Sequence, residues 1–283
     1  MKLSFTTTIK SIAVAALAIY ASVGISSADT LLERAKEGKS IRIGFTNEVP
    51  LAYPGTTGEP DGFVNVYVLN VLKKMGYTNI EPVQTDWGGL IPGLEADRFD
   101  IITAGMYVLK QRCENVLFAE PMAEVSDIMI VPKGNPKAIQ NYTDVAASGA
   151  KMATCVGCNT IANAQADGVK EENIVPLPQM EDMLIAVTSG RADAAVGPYF
   201  TMLNFVQNSQ GAVELTDPTK MPEVSRNWNG IVFRKGDADF VKAFDEAQAS
   251  YLGSPEMLEA VAPYGYSKVH IPNRKLDWIC QNR

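Results

Sequence analysis

A chain of 283 residues, 46% apolar and 20% charged, has an ordinary globular composition and enough length for two domains or one large one with sizeable cores. Its formal charge of −7 argues against nucleic acid and anionic lipid as partners. One histidine and four cysteines are thin material for a metal centre, so neither metal nor cofactor is expected.

The chain opens with Lys2 and Lys10 in a stretch free of acids. An apolar run, SIAVAALAIYASVGI, follows, and then Ser26-Ser27-Ala28. Residues 1–28 therefore read as a cleaved secretory signal peptide. The competing reading is a membrane anchor, which needs roughly 20 apolar residues, more than this run supplies. Cleavage would leave 23 basic residues against 32 acidic ones, a net charge of −9. An exported chain meets oxidising conditions, so Cys113, Cys155, Cys158 and Cys280 can pair. Cys113 with Cys280 is the expected bridge, tying the C-terminal tail to the body, and Cys155 with Cys158 is a second. The C-x-x-C spacing also admits zinc or a thioredoxin-like redox role. Zinc is short of ligands, with His270 the single histidine. A redox motif needs a small domain with the cysteines opening a helix after a strand.

Strand and helix signals then alternate. Residues 40–45 are predicted as a strand. Val64, Tyr67, Val68, Val71, Leu72 and Met75 share one helical face, with Gly76 as the stop. Residues 81–85 form a weaker strand. Asp86 is placed as the cap of a helix with Leu90, Ile91 and Leu94 on its apolar side, and 99–104 is again a strand. The grammar then returns. LEADRFDIITAG (94–105) and VTSGRADAAVG (187–197) both run from a helix end through Arg-x-Asp to an apolar strand and a glycine. IMIVPKGNP (128–136) and GIVFRKGDA (230–238) both close a strand with Lys-Gly. The expectation is an α/β protein of two Rossmann-like lobes with largely parallel sheets. Lobe 1 would comprise 29–131 and 232–283, and lobe 2 would comprise 135–227. A two-strand hinge would lie near 131–135 and 227–233. A ligand belongs in the cleft, at the carboxyl ends of the strands.

One order of motifs is more specific. IRIGF (41–45) is followed by DWGGLIPGL (86–94), FDIITAGM (99–106), Arg112 and Phe118-Ala119-Glu120-Pro121. This order resembles the periplasmic solute-binding proteins of polar-amino-acid ABC importers, over essentially the whole mature chain. The resemblance implies a type II periplasmic binding protein fold and no catalysis. It implies a monomer that closes on a small zwitterion and delivers it to the permease and ATPase subunits of an importer in the inner membrane. It further implies that Arg112 grips the solute's carboxylate, with residues 157–160 completing the anion site. A guanidinium matches a carboxylate with two parallel hydrogen bonds. Cys158, Asn159 and Thr160 can open a helix whose free N–H groups favour an anion. A lone arginine is by itself more often a solvated surface cation.

The departures from the family pattern bear on the cation. The family places an aspartate after the second-lobe strand to hold an ammonium, whereas here Pro198 follows AAVG (194–197). Glu48, after the first strand, is the available acid, and Trp87 and Tyr107 offer aromatic faces to a diffuse cation. The Asn47-Glu48-x-Pro50 pattern, with Gly105, Tyr107 and Arg112-Cys113, most resembles ectoine and hydroxyectoine binders. Those usually carry an aromatic residue where this chain has Leu51. Competing readings make Trp87 a core ring and Glu48 a solvated loop acid. A competing function on the same scaffold is an exported prephenate/arogenate-type dehydratase with Glu48 or Glu181 as catalyst. No acid–base pair or activated nucleophile is apparent for it.

Overall fold

The computed structural model describes residues 29–283, and the signal-peptide expectation for 1–28 lies outside the described residues. Ile41–Phe45 lies in parallel between Ile80–Gln84 and Ile101–Tyr107. Arg226–Phe233 runs antiparallel on the far side of Ile101–Tyr107. The other half repeats this plan. Met152–Cys155 lies in parallel between Ile174–Leu177 and Ala194–Pro198, and Ala123–Pro132 runs antiparallel beside the latter. The two long antiparallel strands pair with each other, from Ser126 opposite Arg226 to Ala123 opposite Asn229, so both halves share one continuous sheet.

Ala123–Pro132 changes partner between Ser126 and Asp127. Before that point it pairs with Arg226–Phe233, and beyond it with Ala194–Pro198. The exchange lies upstream of the 131–135 stretch expected from sequence.

Each lobe is held by helices laid on its sheet. Phe63–Lys74 buries Phe63, Tyr67, Val68, Val71 and Leu72 against Ile43, Phe45 and Ile101, as its helical period requires. Gly76 ends it at φ +89°, a left-handed turn that glycine takes without a Cβ clash. In the other lobe Met183, Ala186, Val187 and Met202 pack on Ile128, Ile130, Ala153 and Ala195.

The repeated Arg-x-Asp acids fasten strand starts. Asp100 accepts the backbone N–H of Arg42 at 2.9 Å, and Asp193 accepts that of Lys151 at 2.8 Å. Asp86 departs from its expected role. It precedes a 3₁₀ turn, Trp87–Gly89, and its side chain makes no cap bond. It accepts instead a hydrogen bond from the Gln179 side chain of the second lobe. Cys113 is bonded to Cys280 and Cys155 to Cys158, with Cα separations of 5.9 and 5.4 Å. The first bridge ties the terminal helix Leu276–Asn282 to the turn Lys110–Cys113. No helix among the described residues is long and apolar enough to cross a membrane.

Candidate functional site

All seven residues of Ile101–Tyr107 are buried, as in a strand covered on both faces. Gly105 interrupts it at φ +67°, where a Cβ would meet Asn229 Nδ2 at 3.1 Å and Val64 Cγ2 at 3.3 Å. Two residues on, the buried Tyr107 hydroxyl donates to Asp127 Oδ1 at 2.8 Å. Asn227 Nδ2 donates to the other oxygen of Asp127 at 3.0 Å.

Gly105, Tyr107 and Asp127 face a narrow cavity between the lobes, with a volume of about 20 Å³. Glu48 and Leu51, after the first strand, form one wall. Trp87, Gly105 and Tyr107 add to it from lobe 1. Cys158, Asn159 and Thr160, at the start of the helix Asn159–Ala166, enter from lobe 2 together with Pro198. Nine of the ten residues expected from sequence therefore meet here, and the tenth, Arg112, does not. Arg112 lines an adjacent, more open cleft whose wall shares Cys158 and Asn159 with the cavity. Its guanidinium donates to Tyr107 O at 3.0 Å and reaches across the lobes to Gly157 O at 3.4 Å. It also lies over the Trp87 ring, 5.7 Å from the centroid. Those carbonyl contacts turn the side chain toward the cavity's edge rather than its interior.

Glu48 is 2% exposed, which overturns its reading as a solvated loop acid. Trp87 is partly buried, packs beside the cores of both lobes and also lines the cavity, so the core and site readings both apply. Sequence reasoning missed Asp127, which is 1% exposed and lines the same cavity. A signal was present: a single acid inside the apolar run Val125-Ser126-Asp127-Ile128-Met129. Met180, Val196, Gly197 and Cys155 complete the lining and were also missed, being ordinary core types.

The electrostatics are unusual for a protein interior. Burial pushes the Glu48 carboxyl up to about 7, against the pull of a 2.7 Å hydrogen bond from Thr201 and with help from the charges of Asp127 and Glu181. Burial likewise pushes Asp127 up to about 7, despite its bonds from Tyr107 and Asn227. Burial lowers the Arg112 guanidinium to about 10. No acid forms an ion pair with Arg112 among the described residues; its hydrogen bonds go to carbonyl oxygens.

Contacts across the lobes hold the cavity shut. Thr201 donates to Glu48, Asn47 donates to Glu181 at 3.1 Å, and Gln179 donates to Asp86. Glu181 sits exposed at this rim and does not line the cavity, so it is not placed to serve as a buried acid. Among the described residues no group of three His, Cys, Asp or Glu side chains could hold a metal ion. The arrangement has two poles: the buried acids and the Tyr107 ring at one, Arg112, Trp87 and a helix start at the other.

Comparison with known proteins is consistent over nearly the whole chain. The family described as bacterial extracellular solute-binding proteins, family 3, matches residues 41–265. A protein of Sinorhizobium fredii named as a probable amino-acid ABC transporter periplasmic-binding protein is 36% identical over 277 residues, 95% of this chain and 91% of its own length. The L-cystine-binding protein of Escherichia coli K12 is 25% identical over 244 residues, 83% and 87% of the two chains. Among solved structures, EhuB in complex with hydroxyectoine superposes with a TM-score of 0.82 at 28% identity, covering 89% of this chain and 98% of its own.

Proposed function

Since the chain belongs to family 3 of the bacterial extracellular solute-binding proteins, we propose that it captures one small zwitterion by lobe closure and delivers it to an ABC permease. Its fold is that of the type II periplasmic binding proteins. Family and relatives are solute-binding proteins of ABC transporters and not enzymes, and nothing favours the dehydratase reading. Export through residues 1–28 would bring the protein to the periplasm, where it acts as a monomer with the permease and ATPase subunits as partners.

The observation that carries this reading is the Arg112 guanidinium, half-buried beside a helix start and bonded only to carbonyls. A guanidinium has five N–H donors, so donors remain for a solute carboxylate. The start of Asn159–Ala166 contributes free N–H groups from the other lobe. Only the closed arrangement presents both, so the solute favours closure by the affinity it gains there. Tyr107 covers the cationic end, Glu48 balances its charge, and Trp87 lies beneath Arg112 at the carboxylate end. The hinge is assigned to the two long strands where they pair, with Ala123–Pro132 changing partner at Ser126–Asp127 opposite Arg226.

Ectoine or hydroxyectoine is the best single candidate for the solute. Support comes from the motif pattern at 47–50 and 104–113 and from the likeness to EhuB, a structure bound to hydroxyectoine. Leu51, where ectoine binders carry an aromatic ring, leaves another amino acid or compatible solute in contention. The test is calorimetry on the zwitterion that most raises the melting temperature. Arg112→Ala should weaken it by about two orders of magnitude or more, the scale of a buried charge losing its partner. Unchanged affinity would remove Arg112 from the site.

A further inference from the structure

Asp127 sits 1% exposed where its strand changes partner, followed by the buried apolar run 128–131, and it lines the solute cavity. Its two partners, Tyr107 Oη and Asn227 Nδ2, are neutral donors, and no lysine or arginine is in ion-pair contact with it among the described residues, Arg283 acting on it only through its more distant charge. A buried carboxylate held only by neutral donors is costly, since charges taken out of water are normally paired. An asparagine would avoid that cost, keeping Asn227 as donor and requiring only that the Tyr107 hydroxyl turn to accept. Glu48 faces the same cavity under the same condition, with Thr201 as its side-chain partner. The cavity thus keeps two acids with no cation in contact with either among the described residues, Arg283 acting on Asp127 only from a distance.

We propose that Asp127 is a second solute-binding acid and sets the class of cation accepted. The solute's positive end carries N–H donors on more than one side, as an amidinium, guanidinium, imidazolium or protonated amine does, and is not a quaternary ammonium. The inference rests on the reading of this cavity as the solute site. A quaternary ammonium could sit against Trp87 and Tyr107, but it has no N–H for either carboxylate. An amidinium spreads one charge over two nitrogens and can offer one N–H to Glu48 and another to Asp127.

Calorimetry at pH 7.5 on full-length mature protein tests this, with ectoine, L-arginine and L-histidine as N–H probes and glycine betaine and proline betaine as quaternary probes. At least one N–H probe should bind about tenfold or more tighter than either betaine, and Asp127→Asn should weaken that probe by about tenfold or more while leaving betaine binding within about twofold. Asparagine preserves the shape and can keep both neighbours if the Tyr107 hydroxyl turns to accept from its NH2, so a purely structural role for Asp127 would weaken both probe classes alike or neither. Equal loss across both classes, no loss, or a betaine bound most tightly would overturn the inference. If the variant does not fold, the wild-type ranking of amidinium over betaine still decides it. Loss of binding in Arg112→Ala with no effect of Asp127→Asn sinks this inference alone. Binding that survives Arg112→Ala sinks the assignment of the solute's carboxylate to Arg112, and no binding by any probe sinks both.

Discussion

Asp100 and Asp127 are both buried acids of strand segments, and the protein treats them in opposite ways. Burial would raise the Asp100 carboxyl, but Arg42, Arg234 and Arg34 converge on it and bring it down to about 2. Those three arginines come from the second strand position, from beyond Arg226–Phe233 and from the helix Leu31–Lys36, so one carboxylate fastens three parts of lobe 1. Asp127 has no arginine in ion-pair contact, only the more distant charge of Arg283, and burial raises it to about 7. Burial with charge pairing marks a structural acid, and burial without it marks a place where the missing charge arrives from outside.

The largest effect expected from this contrast is on stability. Asp100→Ala leaves three guanidiniums without their shared partner and should cost about 3–5 kcal/mol in urea unfolding at pH 7. Asp127→Asn should cost far less. Comparable losses would erase the distinction. The sign with pH follows from the depressed carboxyl. Asp100's contribution is full above about pH 4, the unfolded value, and is lost as the pH falls through about 2.

A smaller effect is expected on closure. With the lobes shut, Glu48 and Asp127 titrate near 7, so at pH 8 an empty cleft must bury two charges to close. Glu48→Gln or Asp127→Asn should raise the closed-to-open ratio of solute-free protein at pH 8 by about tenfold, for each pK unit relieved. Small-angle scattering would read this as a smaller radius of gyration. The wild type should compact in the same direction on acidification below about pH 6. A radius indifferent to both charge and pH would mean that the acids do not oppose closure.

Much of this was legible in the chain. Alternating periodicities gave the α/β lobes, and the strand ends gave the cavity walls, because ligand sites in such sheets gather at carboxyl termini. The run from Trp87 to Pro121 placed Tyr107 and Arg112 near each other. Asp127 escaped because periodicity does not say where a long strand exchanges neighbours, and the crossing expected at 131–135 lies downstream of it. Asp86 was misjudged for a related reason. Its local pattern suits a helix cap, but its partner Gln179 lies in the other lobe. The side-chain direction of Arg112 depends on Gly157 O, equally remote in sequence.

The most direct measurement is a crystal structure of the protein with the zwitterion that stabilises it most. The expected result is a solute in the interlobe cavity, its carboxylate within hydrogen-bond distance of Arg112 and its cationic nitrogens against Glu48 and Asp127. A solute bound elsewhere, or bound there with Arg112 still turned to Tyr107 O and Gly157 O alone, would contradict the account.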